Sequence, residues 1–194
     1  MNKNPTQDEI KKAAKALKDG YLVAFPTETV YGLGADASNP TSVARIYEVK
    51  GRPTDHPLIV HISSTSQMDK WAVDVPEYAI NLARNCWPGP MTLILKRSQI
   101  AKDFITGGQN LVGLRVPIHP TAIMLMKEFE NLGGTGIAAP SANRFGAVSP
   151  TTLNAVVEEI GAYLSNKDLL LDGGASEVGI ESTIIDCSGA TPKF

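Results

Sequence analysis

The feature that most constrains this chain is its punctuation. Short apolar runs closed by proline or glycine are set between stretches of helical period. Thr6-Gln7-Asp8-Glu9 is a capping box, with Thr6 as N-cap and Glu9 at N3. Ile10, Ala13, Ala14 and Leu17 follow at helical spacing, and Gly20 supplies the stop. A strand is expected over 21–25, ended by Pro26, and residues 27–40 read as turn-rich. Asn39 and Pro40 open a second helix with Val43, Ile46 and Tyr47 on its buried face and Gly51 past its end. Further strands are predicted at 58–62, 91–95, 111–116, 137–139, 169–171 and 183–186, and helices near 65–72, 76–86, 120–129 and 151–164. Strands and helices alternate irregularly. That pattern predicts an α/β fold in the broad sense (α+β), a mixed sheet flanked by helices. No repeat, low-complexity tract or linker interrupts it, so residues 1–194 are expected to form a single domain.

Composition narrows the function classes. Apolar residues make up 43% and charged residues 20%, which argues for a packed core rather than disorder. The formal net charge of −2 gives no global attraction to nucleic acid or an anionic membrane, so a phosphate ligand would need a local cluster of cations. Cys86 and Cys187 are far apart and in no CxxC pattern, which suggests neither a disulfide framework nor a zinc site. The polar, charged N-terminal stretch does not read as a secretory signal, and no apolar run approaches the ~20 residues that span a bilayer. A cytoplasmic location is the expectation.

Several motifs are weak. Gly32, Gly34 and Ala37 match a relaxed dinucleotide fingerprint, but Ser38-Asn39-Pro40 interrupts the helix it requires, so these read as turn glycines. There is no GxxxxGK[ST] loop. His56, His61 and His119 lack HExxH-type spacing, and no protein-built metal site is expected. Ser141 is not in a GxSxG elbow.

Other segments carry more chemistry. In Lys50-Gly51-Arg52-Pro53, the proline biases Arg52 to an extended shape, and extended side chains two apart point the same way. Lys50 and Arg52 are therefore expected to present two cations to one ligand, although an isolated pair of this kind is more commonly a solvated surface pair. Ser141 and Asn143 repeat the spacing beside Pro140 and offer a hydroxyl and an amide for phosphate, ribose or a base edge, or for a turn. Arg115 faces away from Leu114 and Val116; its fork suits either a ligand carboxylate or a structural ion pair. His61 faces away from Leu58, Val60 and Ile62 and on its own reads as a half-buried core histidine.

Taken in order, Pro26-Thr27-Glu28-Thr29-Val30-Tyr31-Gly32-Leu33-Gly34, Lys50-Gly51-Arg52-Pro53, His56-Pro57-Leu58, Trp87-Pro88-Gly89-Pro90, Arg115-Val116-Pro117, Ala139-Pro140-Ser141-Ala142-Asn143 and Glu181-Ser182-Thr183 resemble the YrdC-like threonylcarbamoyl-AMP synthases. The resemblance runs over roughly residues 14–186. It implies a three-layer, twisted mixed sheet around a positively lined groove. The reaction it implies joins L-threonine, bicarbonate and ATP into threonylcarbamoyl-AMP and diphosphate. Downstream transfer enzymes would then pass the threonylcarbamoyl group to an adenosine next to the anticodon of tRNA, and direct tRNA binding is compatible with this. On this resemblance Lys50, Arg52, Ser141 and Asn143 are the catalytic set. ATP would be held by them with His56 and Ser149, and threonine by Thr29, His61, Arg115, Ser182 and the backbone near Ala139. Magnesium would arrive with ATP, and no protein-bound cofactor is implied. Members of this family commonly continue past Thr191-Pro192-Lys193 into an Arg-Pro-Gly segment, so a C-terminally truncated form is the expectation. Two alternatives are a non-catalytic RNA-binding paralogue and a carbamoyl-transfer domain.

Overall fold

The computed structural model describes residues 4–194; Met1–Lys3, the start of the polar N-terminal stretch and of the expected domain, lie outside them. In chain order the elements are α1 Gln7–Lys18, β1 Val23–Pro26, β2 Tyr31–Asp36, α2 Pro40–Lys50, β3 Ile59–His61, α3 Met68–Trp71, α4 Glu77–Cys86, β4 Met91–Lys96, α5 Asp103–Thr106, β5 Leu111–Arg115, α6 Pro120–Asn131, β6 Ile137–Ala138, α7 Leu153–Ile160, β7 Leu169–Leu170 and β8 Thr183–Asp186. Local chemistry sets the helix ends. Both halves of the Thr6–Glu9 capping box form, the Asn39 side chain accepts from the amides of Thr41 and Ser42, and Gly51 closes α2 in the left-handed conformation at φ 61°.

The strands form one mixed sheet in the order β7-β1-β2-β6-β3-β5-β4-β8. β3 runs parallel to β5, which pairs His61 with Arg115, and β4 pairs antiparallel with β5. Strand alternation splits the core in two. Val23, Phe25 and Ile137 pack with Ile10, Leu17, Leu125 and Phe129 of α1 and α6 on one face. Ala24, Leu33, Ala35, Val60 and Leu114 pack with Val43, Ile46, Trp71 and Val156 on the other. Helices therefore cover both faces of a twisted mixed sheet, giving three layers in an α+β fold.

Gly32 and Gly34 correct the sequence reading. They lie within β2, not in a turn. A Cβ on Gly34 would stand 2.8 Å from Phe25 and 2.9 Å from Ile137, so the strand needs glycine there because the side chains of the neighbouring strands β1 and β6 lie over it. No helix of the described residues is long and apolar enough to cross a membrane.

Candidate active site

A cavity of about 170 Å3 opens at the middle of the sheet, where five separated stretches of chain meet. Thr27 and Gly32 come from the β1–β2 hairpin, Arg52 and His61 from the segment between α2 and the end of β3, and Arg115 from the end of β5. Ala139 and Ser141 follow β6, and Glu181 and Ser182 precede β8. Gly32 contributes space, since a Cβ there would stand 3.3 Å from that of Ala139. Roomier depressions exist, of about 700 Å3 along residues 97–104 and about 340 Å3 between α1 and β7. The first is lined by a single stretch and the second by two, so neither gathers groups from across the fold.

Arg115 is the best-anchored group. Its Nη2 donates to Glu28 Oε1 at 2.5 Å, its Nη1 to Thr29 Oγ1 at 3.0 Å and its Nε to the Gly89 carbonyl at 3.4 Å. The Arg115 and Glu28 side chains are only 5% and 7% exposed, so each charge depends on the other. Glu28 Oε2 also accepts from the Ile118 amide at 3.0 Å. A guanidinium has five N–H groups. Among the described residues three are engaged, which leaves one N–H on each terminal nitrogen. Both readings of Arg115 thus meet in one residue: it is in a buried ion pair, and it lines the cavity.

His61 lies beside Arg115 in the β3–β5 register and its Nδ1 is buried without a hydrogen-bond partner among the described residues. Burial, and then the Arg115 charge, push its pKa down to about 3, so the ring is neutral at ordinary pH. Its ring meets Phe25 edge-on at 6.3 Å.

Lys50 and Arg52 do not share an extended segment. Lys50 is the last residue of α2, and the left-handed Gly51 swings the chain before Arg52. Arg52 lines the cavity; its Nη2 donates to the Pro57 carbonyl at 3.0 Å, while its Nε is buried without a partner among the described residues. Its guanidinium stands 5.8 Å from the Phe145 ring, which also meets the ring of His56 edge-on at 5.3 Å. Lys50 is only 2% exposed and does not line the cavity. Its Nζ donates to the carbonyls of Ser141 at 2.5 Å and Asn143 at 2.6 Å. Burial, followed by the nearby Arg52 charge, lowers its pKa to about 8. The cation is therefore spent on the Ser141–Asn143 loop and acts on the cavity through it.

Asn143 also turns inward. Its Nδ2 donates to the Arg144 and Ala147 carbonyls, both at 2.8 Å, and its buried Oδ1 has no partner among the described residues. Ser141 is the member of the pair that reaches the cavity wall, bridged to Gly32. Of the other candidates, Ala139 and Ser182 line the cavity, with Ser182 Oγ 2.8 Å from Thr92 Oγ1. Thr29 is fully buried and stands behind Arg115. Ser149 Oγ donates to Glu181 Oε1 at 2.5 Å.

Three contributors were missed in the sequence. Glu28 holds Arg115; Glu181 brings a carboxylate to the wall; and Arg144 Nη1 donates to the Glu48 and Val49 carbonyls at the end of α2. The rule that a buried charge is paired requires a carboxylate for a buried Arg115, but only the fold identifies it as Glu28. Among the described residues no three His, Cys, Asp or Glu side chains gather as a metal site.

The family model Sua5/YciO/YrdC, described as telomere recombination, matches residues 15–194. A threonylcarbamoyl-AMP synthase of Pyrococcus abyssi is 45% identical over 184 residues, which span 95% of this chain and 52% of the relative. One of Bacillus subtilis is 43% identical over 185 residues, spanning 95% and 51%. The chain thus covers about half the length of these relatives. The crystal structure of P. abyssi Sua5 complexed with L-threonine superposes with a TM-score of 0.91 at 44% identity, over 98% of this chain and 54% of that one. The match of sequence and of fold runs through every segment that meets at the cavity, and the chain belongs to the Sua5/YciO/YrdC family.

Proposed function

We propose that residues 1–194 act as a single YrdC-like domain that makes threonylcarbamoyl-AMP and diphosphate from L-threonine, bicarbonate and ATP. The observation that carries this reading is Arg115: a buried guanidinium, fixed from behind by Glu28 and Thr29, with one N–H left on each terminal nitrogen at a cavity wall. That arrangement suits the carboxylate of a free amino acid. Support also comes from the relatives named threonylcarbamoyl-AMP synthase and from the Sua5 structure with L-threonine.

The chemistry needs no covalent enzyme intermediate. The threonine ammonium loses a proton, and the amine combines with bicarbonate to give a carbamate and water. A carbamate oxygen then attacks the α-phosphorus of ATP and displaces diphosphate. The protein's task is to position two anions and to stabilise charge. Arg115 holds the threonine carboxylate with Thr29 behind it, while neutral His61, Ala139 and Ser182 wall the amino-acid end. Arg52 and Ser141 face the nucleotide, His56 and Ser149 extend that side, and Lys50 and Asn143 hold the 141–147 loop in place. Magnesium carried by the nucleotide would offset phosphate charge. The product would pass to tRNA threonylcarbamoyl-transfer enzymes in the cytoplasm. Incubation with threonine, bicarbonate and Mg-ATP, read by mass spectrometry, tests this: threonylcarbamoyl-AMP is expected, and ATP turnover without it would reject the assignment.

A further inference from the structure

We propose that the Glu181 carboxylate, with the Ser149 hydroxyl beside it, is a protein ligand for the divalent cation that accompanies the nucleoside triphosphate. The proposal rests on the reading that the cavity takes ATP.

Glu181 is the carboxylate on a wall otherwise supplied with cations and neutral donors, beside Arg52, Arg115 and Ser141. Unlike the neighbouring Glu28, which is tied to Arg115, it is in no ion pair among the described residues. It shares the cavity wall with Ser141, whose carbonyl accepts from the Lys50 ammonium. The segment that carries it is fixed. The amides of Val178 and Gly179 donate to the carbonyls of Glu28 and Thr29, and the Thr183 amide donates to that of Pro90. The backbone on both sides of Glu181 is therefore tied to the β1–β2 hairpin and to the start of β4.

A bare carboxylate in that position repels a triphosphate. A small, hard cation between them reverses the sign. Magnesium is held in just this way elsewhere: by one or two carboxylates, substrate phosphate oxygens and retained waters, not by a cage built wholly of protein. Ser149 suits the second place. Its hydroxyl proton already goes to Glu181 Oε1 at 2.5 Å, which leaves its oxygen lone pairs for a metal.

The test uses the opposite signs the two nucleotide forms should show. ATP binding to the wild type and to Glu181→Gln is measured by calorimetry, once with excess Mg2+ and once with the metal removed by chelation. The glutamine variant should bind Mg-ATP weaker by on the order of tenfold, yet bind metal-free ATP at least as tightly as the wild type. The electron paramagnetic resonance spectrum of Mn-ATP bound to the wild type should also change in Glu181→Gln. Ser149→Ala should show a smaller loss, confined to the metal form. The proposal is overturned if Glu181→Gln weakens both forms equally, tightens both, or alters neither. If the wild type binds ATP in neither condition, the nucleotide reading itself fails and takes the proposal with it. Thermal melting of each variant separates these outcomes from misfolding; Glu181 is exposed and should leave the melt unchanged.

Discussion

Replacing Arg115 by lysine separates charge from geometry at the amino-acid site. Arg115→Leu is the blunter change. It would strand Glu28, whose side chain is 7% exposed, as an uncompensated buried charge, and loss of one partner from such a pair costs about 3–5 kcal/mol of stability. Lysine keeps the positive charge. It has three N–H donors, and the existing partners Glu28, Thr29 and Gly89 already number three. Nothing remains for a bidentate grip on threonine. Two charge-assisted hydrogen bonds at about 1.5 kcal/mol each amount to roughly 3 kcal/mol, or about a hundredfold in affinity. Calorimetry with threonine and with ATP reads the two sites separately, and a melting curve confirms the fold. Threonine binding should fall by about that factor while ATP binding stays within about twofold. Equal weakening of both ligands, or of ATP alone, would remove Arg115 from the amino-acid site.

Lys50→Ala and Arg52→Ala should each lower the rate of threonylcarbamoyl-AMP formation by on the order of 10²–10³. Lys50→Ala should also loosen the 141–143 loop, seen as faster hydrogen exchange at the Ala142 amide, which donates to the Tyr31 carbonyl at 2.8 Å. Unchanged rates would remove Arg52 from the nucleotide site and show that the loop held by Lys50 has no part in the reaction. His61 titrates near pH 3 when folded and near 6.5 when unfolded, so the unfolded chain takes up the proton first as pH falls. Its contribution is present above pH 6.5 and is lost below it, by up to about 1.4 kcal/mol per pH unit. Denaturant unfolding between pH 4 and 7 should show this slope reduced in His61→Asn; identical slopes would contradict a buried neutral ring. Gly34→Ala should destabilise the protein by about 1–3 kcal/mol in urea unfolding, because the added methyl meets Phe25 and Ile137. A neutral result would argue against the close approach of the Phe25 and Ile137 side chains over β2.

Much of the fold was legible because its signals are local. Thr6 and Glu9, Asn39 and Pro40, and Gly51 each mark a helix end through contacts within a turn, and α1 and α2 form where those residues place them. Strand β2 was not legible. Its glycines resemble turn residues in isolation, and only the tertiary packing explains them, of Ala139 over Gly32 and of Phe25 and Ile137 over Gly34. The site divides along the same line. Arg52, Arg115 and Ser141, which residue type and spacing single out, and His61, Ala139 and Ser182, which the family resemblance adds, do line one cavity. The notion that Lys50 and Arg52 point together failed, since a left-handed Gly51 lies between them.

The sequence by itself determined the main helix ends and the family likeness, because these depend on residue chemistry and short spacings. Tertiary structure alone decided which charges are free. Lys50 is committed to two carbonyls 91 and 93 residues away, and Arg115 to a glutamate 87 residues away, while Glu181 at the cavity wall accepts from Ser149 and is in no ion pair among the described residues. Such partnerships form where the sheet brings distant strands together. Desolvation then makes every buried charge depend on its neighbour, and sequence spacing carries no record of which neighbour that is.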